Sequence, residues 1–302
     1  MTKHYLVTGG AGFIGSNLVD ALIKAGHRVT IIDNLTTGKK ENLNPKAKFI
    51  KADIRDLKKI QPIFKNKDGV FHLAAIPRVQ PSIEYPIEPN EVNVTGTLNV
   101  LWAAKLAGIK RVVYSASSSA YGNAKKLPLT EDMRPGPMSP YGLQKYIGEE
   151  YCRLFSFLYG IETVSLRYFN VYGPRMASTG AYMTAIRVFL SQRAAGKPLT
   201  VVGDGEQTRD FSHVYDVVRA NMLAMNSHKV GKGEVINIGP GKNYSMNAIA
   251  KIIGGKIVYL PPRVEPRDTR ADNTLARKLL GWTPKENLPD ALNTLKREMN
   301  LI

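Results

Sequence analysis

The stretch SPYGLQK, residues 139–145, sets Tyr141 and Lys145 four positions apart, behind a proline that can open a helix. On a helix that spacing stacks the two side chains on one face, so a phenol and an ammonium share one neighbourhood. In the catalytic reading the phenol handles a proton, and the cation beside it lowers a pKa that is about 10 in free tyrosine. The alternative is a surface tyrosine next to a surface lysine, and seven residues alone do not choose between chemistry and packing.

A second group of residues points to a dinucleotide. TGGAGFIGS, residues 8–16, places Gly9, Gly12 and Gly15 between a strand-like run and the start of a helix. Gly9 permits a tight turn, Gly12 lets the backbone approach a pyrophosphate, Gly15 allows close helix packing, and the helix N-terminus favours phosphate charge. Asp33, 18 residues after Gly15, ends the next strand-like run, RVTIID. A carboxylate there accepts from both ribose hydroxyls and repels a 2′-phosphate, so NAD is expected over NADP. An Asp-Asn turn is the structural alternative, and basic residues such as the nearby Lys39 and Lys40 can accommodate the phosphorylated cofactor.

The elements that must position these groups alternate. HYLVT (4–8) precedes a helix over about 13–25, followed by strand-like RVTIID (28–33), KFIKAD (48–53) and GVFHLA (69–74). A helix is expected over 93–107, then RVVYSAS (111–117), a helix over 140–159 and ETVSLRYF (162–169). Short Val-, Ile- and Phe-rich runs separated by helices predict an α/β fold, a doubly wound parallel sheet covered on both faces. After Asn170 the punctuation by glycine and proline thickens, which predicts a smaller C-terminal substrate-binding lobe. The expected division is 1–170 with about 211–239 as the NAD-binding domain, and about 171–210 with 240–302 as the lobe. HVYDVVRANMLAM (213–225) is expected to be a helix that returns to the main sheet.

Composition excludes several classes. The 302 residues, 43% hydrophobic, can bury a substantial core. No apolar run approaches the roughly 20 residues that span a bilayer, and MTKHYLVTGG runs straight into a strand and a glycine turn without a signal-peptide pattern. With the single Cys152 unable to form an intrachain disulfide, a cytoplasmic protein with no membrane partner is expected. The five histidines are scattered without ligand spacing, so no metal is expected. The net charge of +17 raises nucleic acid or an anionic substrate, but the basic residues are dispersed in ones and twos, and a solvated surface is the better reading.

Taken together the motifs resemble the extended short-chain dehydrogenase/reductases, and within them the NAD-dependent nucleotide-sugar 4-epimerases that act on UDP-glucose or UDP-N-acetylglucosamine. The resemblance covers nearly the whole chain: TGGAGFIGS, IIDN (31–34), Asp53-Ile54, HLAA (72–75), NVTGT (93–97), YSASSSAYG (114–122), SPYGLQK, LRYFNVYGPR (166–175), VVGDGEQTRDF (201–211) and PRDTRAD (266–272). It implies Phe13 and Ile14 at the pyrophosphate, and Asp33, Asn34, Thr37 and Gly38 around the adenosine ribose. Asp53 and Ile54 would edge the adenine, Leu73, Ala74 and Ala75 would line the cleft, Asn93 would support it, and Phe169 joins the cofactor set. Ser117, Tyr141 and Lys145 match the catalytic trio, with Ser117 placed by counting back from Tyr121-Gly122 in a cluster that also holds Ser115, Ser118 and Ser119.

The resemblance also implies a mechanism. Tyr141 takes the proton of the sugar 4-hydroxyl as hydride leaves C4 for NAD, Ser117 hydrogen-bonds the same oxygen, and the 4-keto sugar turns over before hydride returns to its other face. Tyr141 and Lys145 would also touch the cofactor. Asn170, Arg209 and Arg267 match positions that hold the UDP diphosphate, and Thr200 to Val202 the uracil-side strand. RVEPR (263–267) lacks the glycine usual in the family, which leaves both Arg263 and Arg267 as phosphate candidates. Dehydratases carry an Asp-Glu pair after the catalytic hydroxyl residue and decarboxylases a Glu in that region; here Ser118 and Ser119 occupy those places, which favours simple epimerisation. Thr269, small where glucose-restricted relatives have tyrosine, favours room for an N-acetyl group, so both UDP-Glc/Gal and UDP-GlcNAc/GalNAc are expected to enter. The alternatives are a 4-epimerase of another nucleotide sugar such as a UDP-uronic acid, and a non-catalytic dinucleotide sensor, which would have no need of Ser117, Tyr141 and Lys145 together. The helices near 93–107 and 141–159 resemble those that pair across a two-fold axis in family dimers, so a homodimer is expected.

Overall fold

The computed structural model describes residues 1–77, 79–177, 183–262 and 265–302. The first half alternates strand and helix: β1 (His4–Thr8), α1 (Phe13–Lys24), β2 (Arg28–Asp33), β3 (Lys48–Lys51), the short α2 (Leu57–Ile60), β4 (Gly69–His72), α3 (Val79–Glu84), α4 (Ile87–Asn90), α5 (Gly96–Leu106), β5 (Arg111–Ser117), α6 (Pro140–Tyr159) and β6 (Glu162–Tyr168). Then come α7 (Ala185–Ala194), β7 (Leu199–Val202), β8 (Thr208–Asp210), α8 (Val214–Asn226), β9 (Lys232–Ile238), β10 (Asn243–Ser245), α9 (Met246–Ile253), β11 (Ile257–Leu260), α10 (Thr274–Leu280) and α11 (Leu288–Glu298).

Seven strands form one parallel sheet in the order β3-β2-β1-β4-β5-β6-β9. Every residue of β4 and β5 is buried, as expected of strands covered on both faces by crossover helices. On one face Leu18, Val19 and Leu22 of α1 pack with Val217 and Ala220 of α8 and with Leu280 and Trp282. On the other, Val100, Leu101 and Ala104 of α5 pack with Cys152 and Phe155 of α6. The strand order reverses between β1 and β4, which opens a crevice beyond their carboxyl ends, the place where doubly wound sheets bind ligands.

The remaining strands form two small sheets, β10 with β8 and β11 with β7. Around them α7, α9 and α11 share a separate apolar cluster that includes Phe189, Leu190, Ile249 and Leu292. Within the C-terminal stretch, α10 packs against β9 and α8 on the main sheet. The helix expected over 93–107 begins with a wider π turn, Glu91–Thr95, before α5 proper, and Asn93 sits in that turn. Among the described residues no helix is long and apolar enough to cross a membrane.

Candidate active site

A cleft of about 910 Å³ runs from the glycine turn at the start of α1, past the ends of β4 and β5, to β7 and β8. At its nucleotide end Gly9, Gly12, Phe13, Ile14 and Gly15 form the floor. A Cβ on Gly15 would lie 2.1 Å from the carbonyl oxygen of Gly9, so only glycine lets α1 approach β1 this closely. Gly12 caps α1 without a side-chain hydrogen bond, and the first turn carries no acid. Among the described residues no side chain caps these first-turn N–H groups, which border the cleft and make a fitting cradle for a pyrophosphate.

Asp33 lies on the same wall with its carboxylate held by Ala11 N at 3.0 Å and Leu35 N at 2.8 Å. Burial pushes its pKa up and these two backbone bonds oppose the shift. Gly38 crosses close above it: a Cβ there would stand 2.9 Å from both Asp33 oxygens. Asn34, Thr37, Ile54, Leu73, Ala74 and Ala75 line the cleft. Asp53 does not; its carboxylate takes Asn34 Nδ2 at 3.0 Å and the Arg55 guanidinium at 2.8 Å, and that hydrogen-bonded pair holds it down at about 2. It therefore braces Asn34 from behind.

The chemical end gathers Ser117, Tyr141 and Lys145 on one wall. Tyr141 and Lys145 fall in the first two turns of α6, which Ser139 caps by accepting Gly142 N at 3.1 Å. A Cβ on Gly148 would meet the Tyr114 hydroxyl at 2.2 Å, so this glycine lets α6 lie directly on β5. That contact places Lys145 Nζ 2.8 Å from the Ser115 carbonyl and 5.0 Å from the Tyr114 ring centroid. Burial pushes the Lys145 pKa down to about 8, with the charge of Glu149 acting against it. Ser117 ends β5; its hydroxyl donates to Ser119 Oγ at 3.1 Å and accepts Ser119 N at 3.2 Å. No carboxylate stands at the neighbouring Ser118 and Ser119, which also line the cleft.

Asn93 supports this wall without lining it: its amide exchanges hydrogen bonds with Ile76 N at 2.8 Å and Ile76 O at 3.0 Å and donates to Gln144 Oε1 at 2.8 Å. Phe169 does not take part in the wall. Its side chain is fully buried with Tyr121, Leu129 and Ala271, because the strand alternation that points Tyr168 to the cleft sends Phe169 the other way. His72 of the HLAA motif is buried between Thr8 Oγ1 at 2.8 Å and Thr97 Oγ1 at 2.9 Å, and burial pushes it down to about 3. It is a neutral packing residue.

At the far end Asn170, Thr200, Val202, Arg209 and Thr269 line the cleft. Asn170 adopts φ +30 while its amide donates to Asp210 O at 3.0 Å. Arg209 faces Glu265 at 3.4 Å, and its side chain is 13% exposed. Arg267 stands elsewhere, with its guanidinium forked onto Asp204 at 2.9 and 3.1 Å on the surface. Arg263 falls outside the described residues. Sequence reasoning missed the apolar lining here, Met176, Met183 and Phe189, whose positions in and before α7 carry no motif.

The chain as a whole resembles known proteins. The model described as the NAD dependent epimerase/dehydratase family matches residues 5–239. The UDP-glucose 4-epimerase of Mycolicibacterium smegmatis is 38% identical, the match covering 95% of each chain. Two solved structures superpose with a TM-score of 0.93 at 38% identity: UDP-glucose 4-epimerase with UDP-glucose from Thermotoga maritima, over 98% of this chain and 99% of that one, and UDP-N-acetylglucosamine 4-epimerase from Methanobrevibacter ruminantium in complex with UDP-N-acetylmuramic acid, over 100% and 99%.

Proposed function

The chain belongs to the NAD-dependent epimerase/dehydratase family, and from that premise we propose that it interconverts the C4 epimers of a UDP-hexose through a transient 4-keto sugar. The observation that carries this reading is one continuous cleft with Tyr141, Lys145 and Ser117 at its centre, a glycine turn at one end, and serines rather than a carboxylate at positions 118 and 119. A dehydratase or decarboxylase would need such a carboxylate to move a further proton.

NAD, when bound, supplies the hydride acceptor and donor at C4. Gly9, Gly12 and the first turn of α1 hold its pyrophosphate, and Asp33 its adenosine ribose. Tyr141 takes the proton of the 4-hydroxyl as the bond to oxygen becomes a carbonyl, and returns it after the sugar has turned. Lys145 favours the phenolate by charge proximity, and Ser117 hydrogen-bonds the reacting oxygen. Arg209 holds the diphosphate, with Glu265 sharing its charge, while Thr200 and Val202 flank the uracil. Arg209 takes precedence over Arg267 because only Arg209 borders the cleft.

Residues 1–170 with about 211–239 serve as the NAD-binding unit, and about 171–210 with 240–302 as the sugar-nucleotide unit, α10 lying on the former. The buried Thr269 borders the cleft with a small side chain, which leaves room for N-acetyl sugars beside glucose and galactose. A homodimer forms through α5 and α6, whose Leu106, Leu143, Leu158 and the 81% exposed Phe157 present apolar surface. A monomeric mass at micromolar concentration would exclude that dimer.

The test of the activity is incubation with UDP-glucose, UDP-N-acetylglucosamine and UDP-glucuronic acid, with products identified by C4 configuration. Epimers of the first two, formed without added NADH, are expected. A pentose or a deoxy product, or no reaction with any sugar, would overturn the reading.

A further inference from the structure

The backbone N–H of Tyr141 lies in the first turn of α6, where no carbonyl of the same helix reaches it. Its acceptor comes from another element. Ser82 of α3, 59 residues earlier, accepts Tyr141 N at 3.0 Å, and donates its own hydroxyl proton to Val79 O at 2.6 Å. Ser82 is 1% exposed, so water does not substitute for this bond. Three residues after Tyr141 on the same helix, Gln144 accepts from Asn93, which also clasps Ile76.

These bonds fasten one wall segment, residues 73–77 with α3, to the opening turns of α6: Ser82 directly, and Ile76 through Asn93 to Gln144. The same segment forms cleft wall through Leu73, Ala74, Val79, Gln80 and Ile83. Val79 and Ile83 keep 37% and 47% of their surface exposed, apolar surface that a ligand in the cleft would cover. The wall that meets the ligand and the turn that aims the phenol are therefore joined directly through the Ser82 hydroxyl, with a second link that runs through Asn93 to Gln144.

We infer that Ser82 is a positioning residue for Tyr141, holding the first turn of α6 against α3 so that the phenol keeps its alignment with the reacting oxygen. The inference rests on the reading of Tyr141 as the proton-transfer group. Misplacing such a group by an ångström costs up to about 100-fold in rate, without weakening contacts made elsewhere along the substrate.

The test uses the full chain with NAD. Ser82→Ala is expected to lower kcat by about 10- to 100-fold, with KM for the UDP-sugar and NAD content unchanged, while Ser82→Thr restores the rate. Hydrogen exchange of the Tyr141–Gln144 amides should quicken in Ser82→Ala, and that of Cys152–Tyr159 should not. If Ser82→Ala does not fold, Ser82→Cys keeps the volume, weakens the acceptor and carries the same expectations. A kcat within threefold of wild type, unchanged exchange at Tyr141, or a rate loss that Ser82→Thr does not restore would overturn the assignment. Failure of the epimerase reading would show separately, as a wild-type protein without turnover, and the exchange measurement would then decide whether Ser82 holds the turn.

Discussion

The ammonium of Lys145 donates to the carbonyl oxygen of Ser115 at 2.8 Å, across the close contact of α6 with β5 at Gly148. The bond fixes a cation at the end of β5, one helical turn from Tyr141, in a place where burial already weakens its hold on the proton.

A pH dependence follows. A lysine lowered to about 8 loses its charge as pH rises through that value. The phenolate then loses its cationic neighbour, so kcat should show a falling limb near pH 8. Lys145→Met should abolish the limb and lower kcat by about 100-fold or more, and Lys145→Arg, which keeps its charge at any working pH, should push it beyond pH 10. Steady-state kcat between pH 6 and 10 checks this; an unshifted limb in Lys145→Arg would assign it to another group.

The two arginines separate by position. Arg209 borders the cleft, whereas Arg267 is spent on Asp204 at the surface. Arg209→Ala should raise KM for a UDP-sugar by about 10-fold or more, the scale of one lost charge-assisted bond, and Arg267→Ala should leave it within about threefold, as for an exposed pair. Saturation curves for both variants decide it, and equal effects would place Arg267 on the diphosphate as well.

Asp210 gives a stability prediction. Its Oδ2 accepts Gly241 N and Ala271 N, both at 2.9 Å, while Oδ1 has no hydrogen-bond partner among the described residues, and burial pushes the carboxyl up to about 7. An acid raised on folding contributes stability that is present below its unfolded pKa, near 3.8, and is lost as pH rises through about 7. Asp210→Asn removes that dependence because the amide does not ionise, and its oxygen can still accept both backbone N–H groups. The melting temperature of the variant should gain on wild type between pH 5 and pH 8, by about 5 °C. A constant difference across that window would mean Asp210 ionises normally.

What could be read from the sequence followed the range over which each signal acts. The glycine turn, Asp33 and the Tyr141–Lys145 spacing are local patterns whose geometry one strand or helix dictates, and the cleft holds all of them. Asn93 carried a motif but no hint that a π turn would send its amide to Ile76 and Gln144. Gln144, between Tyr141 and Lys145, carries no motif role of its own and is bonded into that network. Ser82 meets Tyr141 through an encounter between distant elements, which no spacing rule encodes. Phe169 and Arg267 lie in recognisable motifs, yet strand alternation buries the first and Asp204 holds the second, so a motif told the neighbourhood and not the direction of the side chain.

The proposed role of Tyr141 is to move the proton of the sugar 4-hydroxyl. Its most direct test is Tyr141→Phe with NAD and UDP-galactose, following C4 configuration by NMR beside wild type. An unchanged fold and retained NAD are expected, with turnover lower by about 100- to 10,000-fold. Turnover near that of wild type, in a variant shown to be folded and NAD-loaded, would contradict it.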